Sequence, residues 1–274
     1  MNPVTDFNAL SLPEAVKAAL ISQNITVPSP IQAQAIPWAL EGKDVVGLAQ
    51  TGTGKTLAFC LPLITALFKE ENQDSTALIL APTREIAIQV TEVIKALTVE
   101  LKGRWTPLLV IGGVGMQPQI DGLKKKPRLI IATPGRLVDH MREGVAKLDT
   151  VDFLVLDEAD RMLDMGFAPQ LNEILKGLPK KRQTMLFSAT FPREIEEISQ
   201  KYLNSPKRIE AGVGHSKAVD SVTQVIKEMS DDEKMPCLIE ALKEREGTII
   251  VFVRTKHRTE RIAKQLEKVG QSAG

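Results

Sequence analysis

The stretch AQTGTGKT, residues 49–56, decides how the rest of the sequence is interpreted. It fits the phosphate-loop pattern G-x-x-x-x-G-K-[ST] except at the first position, where Ala49 replaces glycine. A strand-like apolar segment precedes it and a helical pattern follows, which is the context that such a loop requires. The stretch therefore predicts a nucleotide site, and it leaves open whether the loop works, is damaged or matches by chance.

Four residues of this stretch have the chemistry that phosphate binding needs. Gly52 and Gly54 let the backbone curl so that its N–H groups point inward at phosphate oxygens. The helix predicted to begin near Lys55 adds the positive end of its dipole. Lys55 supplies a charge for the β- and γ-phosphates, and the Thr56 hydroxyl is a ligand for Mg²⁺. A strand-turn-helix that contains G-x-G-K-T by chance is the alternative.

A second stretch, FLVLDEAD at 153–160, ends another apolar run with carboxylates. Asp157 falls at the predicted strand end, where it can hold Mg²⁺ through its water shell. Glu158 beside it can orient or deprotonate the attacking water. Two adjacent carboxylates in a solvated turn are the alternative, but the buried strand before them favours a catalytic site.

Six short runs rich in apolar residues alternate with helical patterns, such as those over Glu85–Leu97 and Pro134–Glu143. The runs are nearly continuous in apolar residues, which is typical of parallel strands covered by helices on both faces. The alternation predicts an α/β fold. The predicted strands are 44–49, 76–81, 107–112, 128–132, 152–157 and 183–188.

The pattern changes near residue 206, where 204–221 is rich in Gly, Ser, Pro and Lys and is typical of a linker. Strand-like segments at 222–229 and 247–253 then alternate with helical ones at 232–245 and 256–270. Two strands are few for an independent parallel sheet, so we expect a fragment or a truncated product. The predicted division is a first domain at 1–211, a linker at 212–221 and a partial second domain at 222–274.

The composition of the 274-residue chain is that of a soluble globular protein, with 43% hydrophobic and 25% charged residues. The net charge of +1 excludes a broadly basic surface, so any nucleic-acid site must be local. The N-terminus does not have the pattern of a signal peptide, and no apolar run approaches the ~18 residues of a membrane span. Cys60 and Cys237 suggest buried thiols in a reducing compartment, so we expect a cytoplasmic protein without membrane contact.

Together these motifs resemble the DEAD-box family of RNA-dependent ATPases and helicases, and we expect the bacterial type. Residues Asp157 to Asp160 spell the family name, and the family's phosphate loop begins with alanine, as Ala49 does. The resemblance implies a RecA-like P-loop domain with a mostly parallel sheet flanked by helices, plus the first part of a second RecA-like domain. The other matching segments, in family order, are PSPIQ at 28–32, APTREIAIQ at 81–89, GG at 112–113, TPGR at 133–136, SAT at 188–190 and VFVRTK at 251–256.

The resemblance implies ATP and Mg²⁺ as cofactors, with Lys55, Asp157 and Glu158 catalytic and Thr56 and Asp157 at the metal. Gln32 would hydrogen-bond the adenine edge, while Asn24 and Ile25 stand where the family has glycine and an adenine-stacking aromatic residue. The implied nucleotide-binding residues are Phe7, Gln32, Gln50, Thr51, Gly52, Thr53, Gly54, Lys55 and Thr56.

The resemblance also implies sequence-independent contacts with an RNA backbone, because phosphate contacts position a strand without reading its bases. An arginine at a helix start, as Arg84 is predicted to be, is on its own more often a surface salt-bridge partner, but its place in PTRE favours the RNA role. The basic runs at 123–128 and 179–183 are interpreted as solvated loops. The implied RNA-contacting residues are Pro82, Thr83, Arg84, Gly112, Gly113, Thr133, Pro134, Gly135 and Arg136.

Asp160 has two interpretations, a cap for the following helix or a hydrogen-bonded link to Ser188 or Thr190. The family resemblance favours the link, through which loss of the γ-phosphate would be felt at the domain interface.

Two further family segments, A-R-G-[LI]-D and H-R-x-G-R-x-x-R, are absent after VFVRTK, and the second supplies arginines that reach the γ-phosphate. We therefore expect an ATP-dependent RNA helicase, here a monomeric chain that binds nucleotide with little turnover. A non-catalytic nucleotide- or RNA-binding fragment is the alternative.

Overall fold

The computed structural model describes residues 4–69, 75–101, 105–211, 223, 225–245 and 247–272. The chain divides into two compact units, Met1–Ser216 and Lys217–Gly274. The predicted linker at 212–221 lies outside the described residues.

The first unit is built on a seven-stranded sheet in the order β3-β4-β2-β5-β6-β1-β7, in which all pairs are parallel. All six predicted strands form, and the α/β, RecA-like fold class is confirmed. The strands are β1 (Val45–Leu48), β2 (Thr76–Leu80), β3 (Leu108–Val110), β4 (Leu129–Ala132), β5 (Val151–Leu156), β6 (Gln183–Ser188) and β7 (Lys207–Glu210).

Helices cover both faces of this sheet, which explains why its strands are nearly continuous in apolar residues. In β2, Ile79 belongs to the hydrophobic core on one face, whereas Leu78 and Leu80 belong to the core on the other. The first core contains α1 (Glu14–Ser22), α2 (Pro30–Leu40), α3 (Lys55–Lys69) and α4 (Arg84–Thr98). The second contains α5 (Met116–Lys124), α6 (Pro134–Arg142), α7 (Ala159–Asp164), α8 (Ala168–Gly177) and α9 (Arg193–Tyr202).

Strand β7 corrects the sequence interpretation, which placed 204–221 in a linker. It pairs with β1 from Val45–Lys207 to Leu48–Glu210 and forms one edge of the sheet. Of its four residues only Ile209 is buried, so it has no apolar run to reveal it. Hydrogen bonds to β1 create this strand, and charged side chains on an edge strand also discourage pairing with other chains.

The described part of the second unit contains two helices, α10 (Lys234–Lys243) and α11 (Lys256–Lys268), where helical patterns were predicted. Strands were also predicted at 222–229 and 247–253. This prediction is wrong for the residues described in those ranges, because none of them pairs with a strand. Ile250 and Phe252 are exposed instead. An apolar run becomes a strand only when a neighbouring strand accepts its hydrogen bonds, and periodicity does not show whether that neighbour is present.

Candidate functional site

The predicted site residues follow the carboxyl ends of parallel strands and therefore meet at one edge of the sheet. The phosphate loop follows β1, the DEAD residues follow β5 and the SAT residues end β6. Backbone hydrogen bonds extend the pairing into these loops, since Ala49 N donates to Ser188 O (3.0 Å) and Asp157 N to Leu80 O (2.9 Å). The fold thus joins segments more than a hundred residues apart in the chain.

The phosphate loop has an intact turn geometry despite its missing first glycine. Gly52 and Gly54 adopt φ angles of +85° and +93°, in the region that side chains disfavour. Ala49 is fully buried and its φ is not positive, so its Cβ is tolerated. Thr53 Oγ1 donates to Gln50 O (2.7 Å), which closes the loop before α3 begins at Lys55. The loop is therefore not damaged by the alanine.

Gln32 connects helix α2 to this loop. Its Oε1 accepts from Ser29 N (2.9 Å), as in one half of a capping box, and its Nε2 donates to Gly54 O (2.9 Å). A Cβ at Gly54 would collide with this amide. The family resemblance implies a contact of Gln32 with adenine only, and the structure adds a role in holding the loop.

Lys55 and Asp157 are buried polar groups that face the same cleft. Nζ of Lys55 makes no hydrogen bond to any described residue, although its side chain is only 6% exposed. Burial raises the pKa of Asp157 to about 6, with the charge of Lys55 opposing the shift and that of Glu158 adding to it. A buried cation without hydrogen bonds is costly unless a ligand completes it. The pair therefore fits a phosphate beside Lys55 and a divalent cation beside Asp157.

Glu158 is held in a strained conformation at the start of α7. Its backbone is left-handed (φ 50°, ψ 53°), which costs a non-glycine residue of order 1–3 kcal/mol. Thr51 Oγ1 donates to Oε1 (3.3 Å) and Arg161 Nη1 to Oε2 (3.1 Å). The carboxylate is thereby fixed over the phosphate loop.

These residues line a cleft of about 610 Å³. Glu85, Gln89 and Arg161 also line it, and the sequence analysis did not assign them to the nucleotide site. Their spacing along the sequence could have indicated this, because residues one helical turn apart lie on the same face of a helix. Arg161 is one turn after Glu158, and Gln89 is one turn after Glu85. The cleft is lined by Thr51, Gly52, Gly54, Lys55, Thr56, Thr83, Glu85, Ile86, Gln89, Val90, Asp157, Glu158 and Arg161.

Phe7 is not brought into this cleft. It is buried and lines a separate cavity of about 290 Å³ together with Ile25, and the two cavities share no lining residue. Asn24 has φ 58°, in the left-handed region that asparagine tolerates better than most residues, so it can replace the family's glycine.

Asp160 is hydrogen-bonded to the SAT segment. Its Oδ2 accepts from both N and Oγ1 of Thr190 (2.9 Å each), and its own N donates to Ser188 Oγ (3.3 Å). Burial works to raise the pKa of Asp160, but the hydrogen bonds from Thr190 and Ser188 outweigh it and the pKa is lowered. The carboxylate is thus held in its charged form between β5 and β6.

The remaining predicted residues follow β2, β3 and β4, which are neighbours at the other end of the sheet. Arg84 Nη1 donates to Gly112 O (3.4 Å) and Arg136 Nη1 to Val114 O (3.0 Å). Gly113 has φ 75°, and a Cβ there would collide with the guanidinium of Arg84. The structure therefore gathers both arginines on one loop.

The other predicted RNA-contacting residues form the starts of the two helices beside this loop. Thr83 caps α4, its Oγ1 accepting from Ile86 N (3.3 Å), and Pro82 is buried just before it. Thr133 is the cap residue of α6, and its N donates to Val110 O (3.0 Å). Pro134 and Gly135 form the first turn of that helix.

A family model described as DEAD/DEAH box helicase matches residues 29–198. The chain belongs to this family. It is 41% identical over 269 residues to the ATP-dependent rRNA helicase RRP3 of Yarrowia lipolytica. This alignment covers 97% of the chain and 55% of that protein. It is 39% identical over 277 residues to the DEAD-box ATP-dependent RNA helicase 30 of Arabidopsis thaliana, covering 99% and 46%.

Among solved structures, a DEAD box protein from the hyperthermophile Methanococcus jannaschii matches with a TM-score of 0.70 at 36% identity, over 98% of this chain and 71% of that one. The chain spans about half the length of the curated relatives it matches. The expected bacterial type gains no support from these fungal, plant and hyperthermophile relatives.

No group of three or more His, Cys, Asp or Glu side chains in the described ranges is arranged to hold a metal ion. The site has two buried carboxylates, Asp157 and Glu158, and the Thr56 hydroxyl, which resembles Mg²⁺ sites completed by phosphates and water. No helix within the described ranges is long and apolar enough to span a membrane.

Burial of Asp157 is expected to make the nucleotide-free protein lose stability as the pH rises from about 4 to about 6. The folded carboxyl keeps its proton up to a pKa of about 6, whereas the unfolded one releases it near 3.8, so the folded state binds more protons between them. Urea unfolding should show this loss, of order 3 kcal/mol, and Asp157→Asn should remove it. Asp164→Asn, at an exposed carboxylate nearby, is the control. If the difference in unfolding free energy between the wild-type protein and Asp157→Asn does not change with pH, the assignment of the raised pKa to Asp157 is wrong.

Proposed function

We propose that this chain is the ATP-binding part of an ATP-dependent RNA helicase, which hydrolyses ATP in the cleft at the phosphate loop and couples this to RNA binding and local duplex unwinding. The observation that carries the proposal is the buried ammonium of Lys55, which makes no hydrogen bond to a described residue and shares its cleft with two buried carboxylates, Asp157 and Glu158. The family membership supports it.

Each group in the cleft has a role in this proposal. Lys55 and the N–H groups of the loop hold the β- and γ-phosphates of ATP. Thr56 and Asp157 hold Mg²⁺, which would neutralise charge on the phosphate oxygens. Glu158, fixed by Thr51 and Arg161, orients the attacking water and accepts its proton.

RNA is the proposed macromolecular partner, bound through its backbone at the loop that gathers Arg84 and Arg136. The Asp160–Thr190 hydrogen bonds join the DEAD segment to the SAT segment and would transmit loss of the γ-phosphate to the domain interface. We further propose a monomer in the cytoplasm, and the two free cysteines, Cys60 and Cys237, support a reducing compartment.

The proposed domain division is 1–211, a linker at 212–221 and part of a second RecA-like domain at 222–274. The boundary between compact units after Ser216 supports it. Limited proteolysis tests it, because a division at the linker requires the first cuts to fall between residues 212 and 221.

Hydrolysis by this chain is expected to be slow, because no H-R-x-G-R-x-x-R segment occurs in its 274 residues. Arginines that reach the γ-phosphate contribute ~10³–10⁵ in rate. Phosphate release with single-stranded RNA should therefore stay well below about one per second, the lower end of typical enzyme turnover. The residual rate should vanish in Glu158→Gln while ATP binding persists. Turnover near one per second that Glu158→Gln abolishes would show that the missing arginines are not needed. A residual rate unchanged in Glu158→Gln would refute the role of Glu158.

Gln32→Ala is expected to weaken ATP binding about tenfold and to let GTP compete equally, because the amide both holds Gly54 and faces the adenine site in the proposal. Competition titrations with ATP and GTP measure this. The control is Gln23→Ala, an exposed glutamine at the end of α1. If wild-type protein binds GTP as well as ATP, the adenine role of Gln32 is wrong.

A further inference from the structure

A buried glutamine outside the family segments named above spans the loop that gathers the two arginines. Gln119 lies on α5 and is 3% exposed. Its Nε2 donates to Ile111 O (3.1 Å) and to Gly115 O (3.2 Å). An amide nitrogen has two hydrogens to donate, and both are used on carbonyls at the two ends of the 111–115 loop. The side chain therefore joins the start of the loop to its end.

His140 on α6 sets the orientation of this amide. The ring is fully buried and its Nε2 lies 3.3 Å from Gln119 Oε1. Because the amide nitrogen faces two carbonyls, its oxygen must accept from the ring, which places the imidazole hydrogen on Nε2. The buried Nδ1 has no hydrogen-bond partner among the described residues, and in this tautomer it carries no hydrogen that would need an acceptor. Burial lowers the pKa of His140 and the charge of Arg136 adds to the effect, so the ring stays neutral.

Between the two anchored carbonyls lie those that hold the arginines. Gly112 O accepts from Arg84 and Val114 O from Arg136. Both contacts are with backbone oxygens, so moving the loop moves both guanidinium groups. Arg84 is exposed and Arg136 is partly buried. Within the described residues, no other side-chain hydrogen bond joins Ile111 or Gly115 to a neighbouring element.

We propose that Gln119, oriented by His140, is a positioning residue that fixes the 111–115 loop and thereby aims Arg84 and Arg136 at the phosphates of a bound RNA strand. The anchoring of the 111–115 loop rests on the hydrogen bonds alone. The effect on RNA affinity rests also on the proposed function, because it requires that the chain bind RNA. Phosphate contacts depend on where a guanidinium lies, so an unanchored loop weakens binding without changing the charge of the protein.

The experiment compares Gln119→Met with Gln117→Met, a matched change on the same helix at an exposed glutamine bonded only to Asp121. Hydrogen–deuterium exchange of the 111–115 amides should rise about tenfold or more in Gln119→Met and stay unchanged in Gln117→Met, because an anchored loop opens less often. The affinity for single-stranded RNA, measured by fluorescence anisotropy, should fall about tenfold, the effect of losing one or two good contacts. The affinity for ATP should change less than about twofold, since the phosphate loop is at other strands.

A second variant, His140→Phe, keeps the ring volume and removes the donor to Gln119. This variant should raise the exchange of the 111–115 amides and weaken RNA binding, each less than Gln119→Met does. Combined with Gln119→Met it should cause no further change in either measurement, because His140 acts through the Gln119 amide. Unchanged exchange of the 111–115 amides in Gln119→Met overturns the inference, as do equal losses of RNA and ATP affinity. If the wild-type chain binds no RNA, the proposed function fails by itself, and the exchange measurement still decides whether Gln119 anchors the loop.

Discussion

Lys55→Met is expected to weaken ATP binding at least a hundredfold while stabilising the nucleotide-free protein at pH 5. The ammonium is buried and makes no hydrogen bond within the described ranges, so it destabilises the empty fold until phosphate oxygens surround it. Methionine fills similar volume without the charge, which leaves α3 and its packing intact. A loss of a hundredfold corresponds to about 2.7 kcal/mol, within the range for a buried charge-assisted contact.

The gain in stability of Lys55→Met should depend on pH, and this dependence makes the test specific for the interaction between Lys55 and Asp157. At pH 5 Asp157, with a pKa of about 6, is mostly protonated and gains little from the nearby cation. Removing Lys55 should then raise the unfolding free energy by about 1 kcal/mol. At pH 7.5 the carboxylate is charged and loses a favourable neighbour, so the gain should shrink or reverse.

The control for this change is Lys69→Met, at an exposed lysine that ends the same helix. It should leave both ATP affinity and stability within about 0.5 kcal/mol, as is usual for surface changes. Isothermal titration with ATP and urea unfolding at both pH values are the measurements. Full ATP affinity in Lys55→Met would refute the phosphate role, and a pH-independent stability change would refute the electrostatic coupling to Asp157.

Gly54→Ala is expected to destabilise the protein by about 2–4 kcal/mol and to lower ATP affinity at least tenfold. The residue has φ +93°, which is strained for alanine, and the new Cβ would also collide with the amide of Gln32. The bond from Gln32 to Gly54 O would break, and with it the connection between α2 and the phosphate loop. Leaving that buried amide unpaired adds about 1–3 kcal/mol to the backbone strain.

Gly52→Ala separates the two causes. Gly52 has nearly the same backbone angle, φ +85°, but a Cβ there meets no described atom within 4 Å. This variant should cost only the backbone strain, about 1 kcal/mol. Chemical denaturation of both variants measures the difference. Equal destabilisation would mean that the contact with Gln32 adds nothing to the fold.

Some parts of the site could be predicted from the sequence because each depends on a short continuous segment. The turn of the phosphate loop requires glycines at two positions whose φ is positive, and Gly52 and Gly54 occupy them. Strand β5 is a buried apolar run that ends in two carboxylates, so the positions of Asp157 and Glu158 followed from one stretch. The six predicted strands are likewise rich in apolar residues, and this pattern is visible without knowing which strands are neighbours.

Other features arise between segments that are distant in the chain. Ile209 is the single buried residue of β7, and this strand exists because β1 accepts its hydrogen bonds. The apolar run at 247–253 has the opposite outcome, since no strand pairs with it in the described residues. The family resemblance implies that Phe7 binds nucleotide, yet Phe7 lines a cavity apart from the phosphate loop.

The sequence by itself determined the family, the parallel α/β fold and the identity of the charged groups around the phosphate loop, because these depend on local order and composition. Only the tertiary structure decided that Gln32 holds Gly54 and that Gln119 joins both ends of the 111–115 loop. A hydrogen bond needs its donor and acceptor within about 3 Å, and for Gln32–Gly54 the fold closes a separation of 22 residues. Spacing along the chain does not show such a distance until the strands are in register.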